Sequence, residues 1–267
     1  MIFHSPFEYN YLWLPLIGFA IGFLGSFWGG GGGFFFIPLL TLLFKVPAQM
    51  AVPTSLAATL PICLVGAYGH YRKGNIDLFS GLFIAISGIA GAAGGAGLTS
   101  LMTSRQLKAS FGAYSIIIAV IMIISNWREK RDEAMGIQKS EVTRVQKITK
   151  CSLLGLISGA ITGTFGTSGT APVIAGLFSM RMPVKLVVGT SLLVVFTNTA
   201  SALAAHFLVG KIDLTLVYFL TAGTILGALT GPRILSDIRI EHRAEGLIRY
   251  WYALAMIAFG IIMIISN

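Results

Sequence analysis

The sequence predicts an all-α, polytopic integral membrane protein built from two five-segment repeats. Three observations carry that prediction. Charged residues make up 11% of the 267-residue chain, against about 25% in a soluble domain, so too few charges exist to cover a water-facing surface. Mean hydropathy is +0.82, and the apolar residues gather into ten runs. The chain also repeats itself. At an offset of 137, Gly18, Gly22, Gly29 and Gly32 fall on Gly155, Gly159, Gly166 and Gly169. At an offset of 136, Thr54-Ser55-Leu56 falls on Thr190-Ser191-Leu192, His70 on His206, and Gly74-x-Ile76-Asp77-Leu78 on Gly210-x-Ile212-Asp213-Leu214. A register held this closely over most of a repeat points to duplication.

The runs of the first copy are 11–28, 33–46, 50–70, 78–100 and 108–127. Those of the second are 151–167, 171–181, 185–208, 214–236 and 248–266. A spanning helix needs about 20 mainly apolar residues, which the last three runs of each copy supply. The first two runs differ. Gly29-Gly30-Gly31-Gly32-Gly33 separates them, and each glycine costs a helix about 1 kcal/mol relative to alanine. Non-helical backbone at membrane depth must be buried in protein or line a wet cavity. The pair is therefore read as either a re-entrant unit or two tilted helices meeting at a glycine break. This gives a first repeat at 1–127, a polar linker at 128–150 and a second repeat at 151–267.

If all five segments cross, the odd number inverts the second copy, the layout of many secondary transporters. With the linker in the cytoplasm, Arg72, Lys73, Arg181, Lys185, Arg233, Arg239, Arg243 and Arg249 fall on the basic inner side. Arg105 and Lys108 fall outside, against the rule. The formal charge of +9 thus orients the chain in a lipid bilayer and does not indicate a nucleic-acid partner. The N-terminal MIFHSPFEYN lacks the basic region of a signal peptide, so the first run reads as a retained helix. Chain size and compactness point to a bacterial inner (plasma) membrane. Cys63 and Cys151 are far apart and the four histidines are scattered, so neither a disulfide, a metal site nor a cofactor is expected.

The chemistry is expected at the two glycine-rich breaks. One contains Gly31, Gly32 and Gly33; the other is Gly166-Thr167-Ser168-Gly169-Thr170. A helix broken at mid-membrane exposes amide groups at the positive end of the next half-helix, a setting for an anion. Close helix packing through small residues is the structural alternative. No Lys-Ser/Thr follows the glycines, so this is not a nucleotide loop. Thr54, Ser55, Thr190 and Ser191 start the third segments, where they can cap a helix, contact the anion, or both. Asn198, mid-segment, must find a polar partner or line a cavity; its counterpart in the first copy is Ile62. His70 and His206, at segment ends, read as interface structure, or as gate or proton-coupling groups. Trp28 is a lid candidate. Asp77 and Asp213 read as helix caps.

No Asp, Glu, Lys or Arg sits centrally in a long run. That disfavours a carboxylate-based proton pump, an acidic-ring cation channel and an intramembrane enzyme, so no catalytic residues are assigned.

Taken together, Gly22-x-x-Gly25-x-x-x-Gly29-x-Gly31-Gly32-Gly33-x-x-x-x-Pro38, Thr54-Ser55 and His70-x-x-x-Gly74-x-Ile76-Asp77 resemble the sulfite exporter TauE/SafE family. So does their second copy, Gly159, Gly166, Gly169, Gly189-Thr190-Ser191 and Gly210-x-Ile212-Asp213. The likeness covers nearly the whole chain. It departs where Ser168 and Thr170 replace glycines and where Ala175 stands at the place matching Pro38, which leaves room for a different substrate preference. The resemblance implies export of small sulfur-containing anions, such as sulfite or organosulfonates, and it alone contributes the sulfur. Alternating access by a secondary transporter is the leading expectation and an anion channel the alternative. A coupling proton or ion fits either chemistry; oligomeric state has no signature in the sequence.

Overall fold

The computed structural model describes residues 2–27, 32–135, 143–180, 182–237 and 242–266. Trp28, Gly29, Gly30 and Gly31, together with Arg181, Arg239 and the middle of the linker, lie outside the described residues. The protein is an all-α membrane protein. A 3-10 turn at Tyr9–Trp13 leads into α1 (Leu14–Phe27). Then come α2 (Gly33–Pro38, prolonged by a π-turn Leu39–Leu43), α3 (Ala48–Arg72), α4 (Leu78–Leu101) and α5 (Ser104–Ala134). The second half brings α6 (Arg144–Phe165), α7 (Thr170–Ser179), α8 (Val184–Val209), α9 (Leu214–Asp237) and α10 (His242–Ile265). Each expected apolar run is one helix. Two short strands, β1 (Ile2–Phe3) and β2 (Ile212–Asp213), pair in parallel.

Helix ends follow local chemistry more than hydropathy. α5 runs past the apolar run to Ala134, and α6 starts within the polar linker. At the α6 start, Thr143 and Gln146 form a reciprocal capping box. α3 starts at Ala48, so Thr54 and Ser55 lie inside it and do not cap it.

The second glycine break makes a hairpin. α7 folds back along α6: Gly169 lies against Ser158 and Thr162, and Gly176 against Leu154. In the first copy, Gly32 (φ 73°) turns the chain back against Ile21. At 1.5 Å per residue, ten-residue α7 reaches only about 15 Å, roughly half of the bilayer core. α7 is thus too short to cross alone, whereas α6 is long and apolar enough to do so, and both readings open at the sequence level stay open.

Helices of one sequence copy pack chiefly on helices of the other. α4 runs parallel to α6, α1 runs parallel to α9, and α5 pairs with α10. α3 and α8 run antiparallel: Gly66 meets Leu192, His70 meets Gly189, and Pro53 meets Gly210. The α4–α6 seam is built from small residues. A Cβ on Gly155, Gly159 or Gly163 would strike the Ile84, Gly88 or Ala92 carbonyl. In the α1–α9 seam, Gly18 and Gly22 face Leu220 and Thr224, while Gly223 and Gly227 face Pro15 and Phe19. Such spacing by four lets two backbones approach in lipid, where apolar burial no longer drives association.

Alanine therefore acts with opposite signs on two glycines. Gly159→Ala puts a methyl into a backbone carbonyl that cannot move aside, so it is expected to cost about 1–3 kcal/mol as overpacking. Gly94 has nothing within 4 Å of its Cβ position, and Gly94→Ala is expected to stabilise by up to about 1 kcal/mol through helix propensity. Thermal unfolding of the detergent-solubilised variants reads both signs.

Candidate functional site

The tip of the second hairpin sits where the start of α2 and α3 converge. A methyl placed on Gly33 would lie 3.0 Å from the Ser168 amide nitrogen, 3.0 Å from Thr59 Oγ1 and 3.4 Å from the Gly166 oxygen. The tip and the start of α2 thus meet closely at Gly33, where a methyl would press its neighbours by a few tenths of an ångström. Gly166 and Gly169 hold φ values of 65° and 53°, left-handed conformations that glycine adopts without strain. Gly166 also abuts Val52 and Ser55.

Hydrogen bonding at this tip is one-sided. The last carbonyls of a helix have no partner within it, and here side chains from three other helices supply donors. His206 Nε2 meets the Gly163 oxygen at 2.8 Å. A carbonyl only accepts, so Nε2 carries the proton. Thr99 donates to Gly163 at 3.2 Å and to Thr164 at 2.8 Å. Ser55 donates to Gly166 at 2.6 Å, and the Gly166 amide returns to Thr162 at 2.9 Å. The negative end of α6 is therefore neutralised. In contrast, the Thr167, Ser168 and Gly169 amides have no acceptor among the described residues. They stand at the positive end of α7.

Orphan hydroxyls surround these amides. Thr59 Oγ1 and Thr167 Oγ1 have no partner among the described residues, although both residues are at most 2% exposed. Asn198 donates from Nδ2 to Ser158 Oγ at 2.7 Å, while its Oδ1 is unpaired against Gly88. Buried polar atoms are nearly always satisfied, so a group of orphans marks a place where a ligand or water belongs. Ser168 and Thr170 are buried at the same tip. The sequence reading overlooked Thr59, Thr99 and Ser158. The signal present was Ser55–Thr59, four apart and so on one helix face, within a run otherwise read only as a span.

Other predicted residues do different work. The Thr54 hydroxyl accepts the Asp213 amide at 3.3 Å, and the Thr190 hydroxyl accepts the Asp77 amide at 2.9 Å. Each copy thereby pins the start of the other copy's fourth helix. Ser191 donates to Val188 at 2.9 Å within its own helix. His70 is buried with both ring nitrogens unpaired among the described residues, so the matched histidines have unlike surroundings. Asp77 Oδ1 accepts the Phe79 and Ser80 amides; Asp213 Oδ1 accepts those of Ser5 and Thr215. Both are helix caps. Lys147 pairs with Asp77 at 3.2 Å, tying the linker's end to the α3–α4 turn.

The chain is matched by the family model described as Sulfite exporter TauE/SafE over residues 14–263. That match takes in every helix of the site. The chain belongs to the sulfite exporter TauE/SafE family. Among its relatives is a Bacillus subtilis protein named "Probable membrane transporter protein YdhB", 33% identical over 82% of this chain and 86% of that one. A Methanocaldococcus jannaschii protein named "Probable membrane transporter protein MJ0441" is 26% identical over 91% and 93%. A "Probable membrane transporter protein" of Xylella fastidiosa is 30% identical over 87% and 88%. As a TauE/SafE member with, among the described residues, five helices long and apolar enough to cross, the chain is a multi-pass integral membrane transporter.

Ser55→Ala leaves the buried Gly166 carbonyl without its donor, an expected loss of about 1–3 kcal/mol visible as a lower thermal midpoint. At Asp77, burial opposes ionisation. The Ser80 hydroxyl, the Lys147 ammonium and the Ser80 amide outweigh it and hold the carboxyl below its usual value. A lowered folded-state pKa contributes stability that is full above the unfolded value, about 3.9, and lost as pH falls through the lowered one. Asp77→Asn is expected to flatten that acid limb in a series of thermal midpoints from pH 7 to 3; an unchanged limb refutes the assignment.

Proposed function

We propose that this TauE/SafE member is a secondary transporter that exports a small sulfur-containing anion, such as sulfite or an organosulfonate, across a bacterial inner membrane. The observation that carries the reading is the imbalance at the second hairpin tip. Carbonyls there are capped, whereas three amides and the hydroxyls of Thr59 and Thr167 are not. A site where the uncommitted donors outnumber the one free amide oxygen, Asn198 Oδ1, favours an anion. Among the described residues it carries no fixed positive side chain, so neutral donors replace the anion's water without holding it too tightly to release. The family's name supplies the sulfur; the site's chemistry supplies only the sign of charge.

In this reading Gly32, Gly33, Ser168, Gly169 and Thr170 line the path with Thr59 and Thr167, and Gly31 belongs with them by the repeat. Asn198 and Ser158 form its wall. Thr54 and Thr190 hold the two copies in register, and Ser55 orients the tip. Gly33 touches the second tip in this conformation, so the anion binds when the two part. Each copy then contributes one re-entrant hairpin and three full crossings. Three is odd, which inverts the second copy. The antiparallel course of matched helices α3 and α8 supports that inversion. A rocking of one copy on the other exposes the tips to each side in turn. His70, buried and unpaired, is the group we assign to proton coupling, with His206 as a fixed brace of the tip.

Thr59→Val and Thr167→Val separate function from folding. Each swaps an orphan hydroxyl for a methyl of similar size, so thermal stability is expected to hold or rise. Hydrogen bonds to a charged group contribute about 1.5–3 kcal/mol, so each variant should weaken apparent anion affinity by about 10- to 100-fold. Uptake into proteoliposomes of sulfite, sulfoacetate, thiosulfate and sulfate, under imposed pH and sodium gradients, measures substrate and coupling together. Unchanged affinity in both variants removes the tip from the pathway. Unitary currents in a planar bilayer would replace the transporter reading by the channel.

A further inference from the structure

We propose that the groove between the C-terminal parts of α5 and α7 binds an anionic phospholipid by its headgroup phosphate. The groove has a volume of about 400 Å³ and is lined by Ile121, Ile124, Ser125, Arg128, Ala175, Phe178 and Ser179. On α5, positions 121, 124, 125 and 128 follow the spacing of a single helix face; on α7, positions 175, 178 and 179 do the same. One half of the groove is therefore hydrocarbon and the other half polar, divided along the helix axis. Ile121 and Ile124 are 49% and 44% exposed, a wall made for an acyl chain and not for a small hydrophilic ion.

The polar end has the donors a phosphate needs. The Arg128 guanidinium has no carboxylate partner among the described residues, and it closes the crossing stretch Ser104–Arg128. The Ser125 hydroxyl one turn earlier is likewise uncommitted. The opposing end of α7 repels an anion less, because two of its carbonyls are occupied: Gly176 by Ser179 Oγ at 2.7 Å and Leu177 by the amides of Met180 and Met182. Trp127, 62% exposed, stands beside this level with Arg131 over its ring at 5.9 Å, as aromatic residues do at a membrane interface. α5 continues from here into the linker, which the basic bias puts on the cytoplasmic side. Anionic lipids concentrate in that leaflet, and each basic group near it adds about 1 kcal/mol of attraction. A bound lipid would also brace α7, whose other end forms the hairpin tip.

The test is lipid retention by native mass spectrometry after reconstitution in equimolar phosphatidylglycerol and phosphatidylcholine. The wild-type protein is expected to keep phosphatidylglycerol about tenfold over phosphatidylcholine. Arg128→Gln should remove most of that preference, Arg128→Lys should keep most of it, and Ile124→Trp should block retention by filling the groove. Thermal midpoints of the purified variants distinguish loss of the site from loss of the fold; if Arg128→Gln does not fold, the Lys and Trp variants still decide. Equal retention of both lipids by the wild type overturns the proposal. So does undiminished phosphatidylglycerol in Arg128→Gln or Ile124→Trp. Displacement of the lipid by millimolar glycerol 3-phosphate or sulfite would instead make the groove a vestibule for soluble anions, and would equally overturn it.

Discussion

Backbone polar groups at membrane depth must find partners inside the protein, and this fold is arranged around two places where the helical ladder stops. The second break strands carbonyls on one side and amides on the other. At the second break, His206, Thr99 and Ser55 reach in from α8, α4 and α3 to the carbonyls. None of these three donors belongs to the hairpin it serves. The tip's conformation thus depends on three helices, two copies and one histidine tautomer, while its amides are left for something else.

The same requirement explains the small-residue seams. α6 can deliver its tip to α3 and α2 only if its backbone lies close against α4, and glycine at 155, 159 and 163 makes that approach possible. The crossed pins Thr54–Asp213 and Thr190–Asp77 then set the depth of each copy in the other. Asymmetry enters at the edges. On one face Asp77 is held by Lys147; on the other, Asp213 receives Ser5 while β1 pairs with β2. Matched carboxylates have thus been tied down by unrelated neighbours, one by a charge and one by the N-terminal segment.

Much of the site was legible as glycines and little of it as side chains. A five-glycine run is conspicuous because glycine is costly in a helix, so its presence had to mean a break. Thr59 and Thr99 were not conspicuous, because threonine inside an apolar helix commonly satisfies itself on its own backbone, as Thr162 does on Ser158. Whether a threonine is spent locally or reaches a neighbour depends on which helix lies opposite. The same limit applied to Thr54, read as a cap or ligand contact and found holding an amide 159 positions away.

What the sequence alone determined was the solvent and the architecture: too few charges for water, ten apolar runs, a duplicated register and two interruptions. These follow from composition and spacing, which act locally and survive any arrangement of the helices. Only the tertiary structure decided that the second interruption is a hairpin tip in contact with Gly33, that α3 and α8 oppose each other, and that this tip keeps its donors free. Those outcomes depend on which donor meets which acceptor across distant segments, and no local pattern encodes a partner.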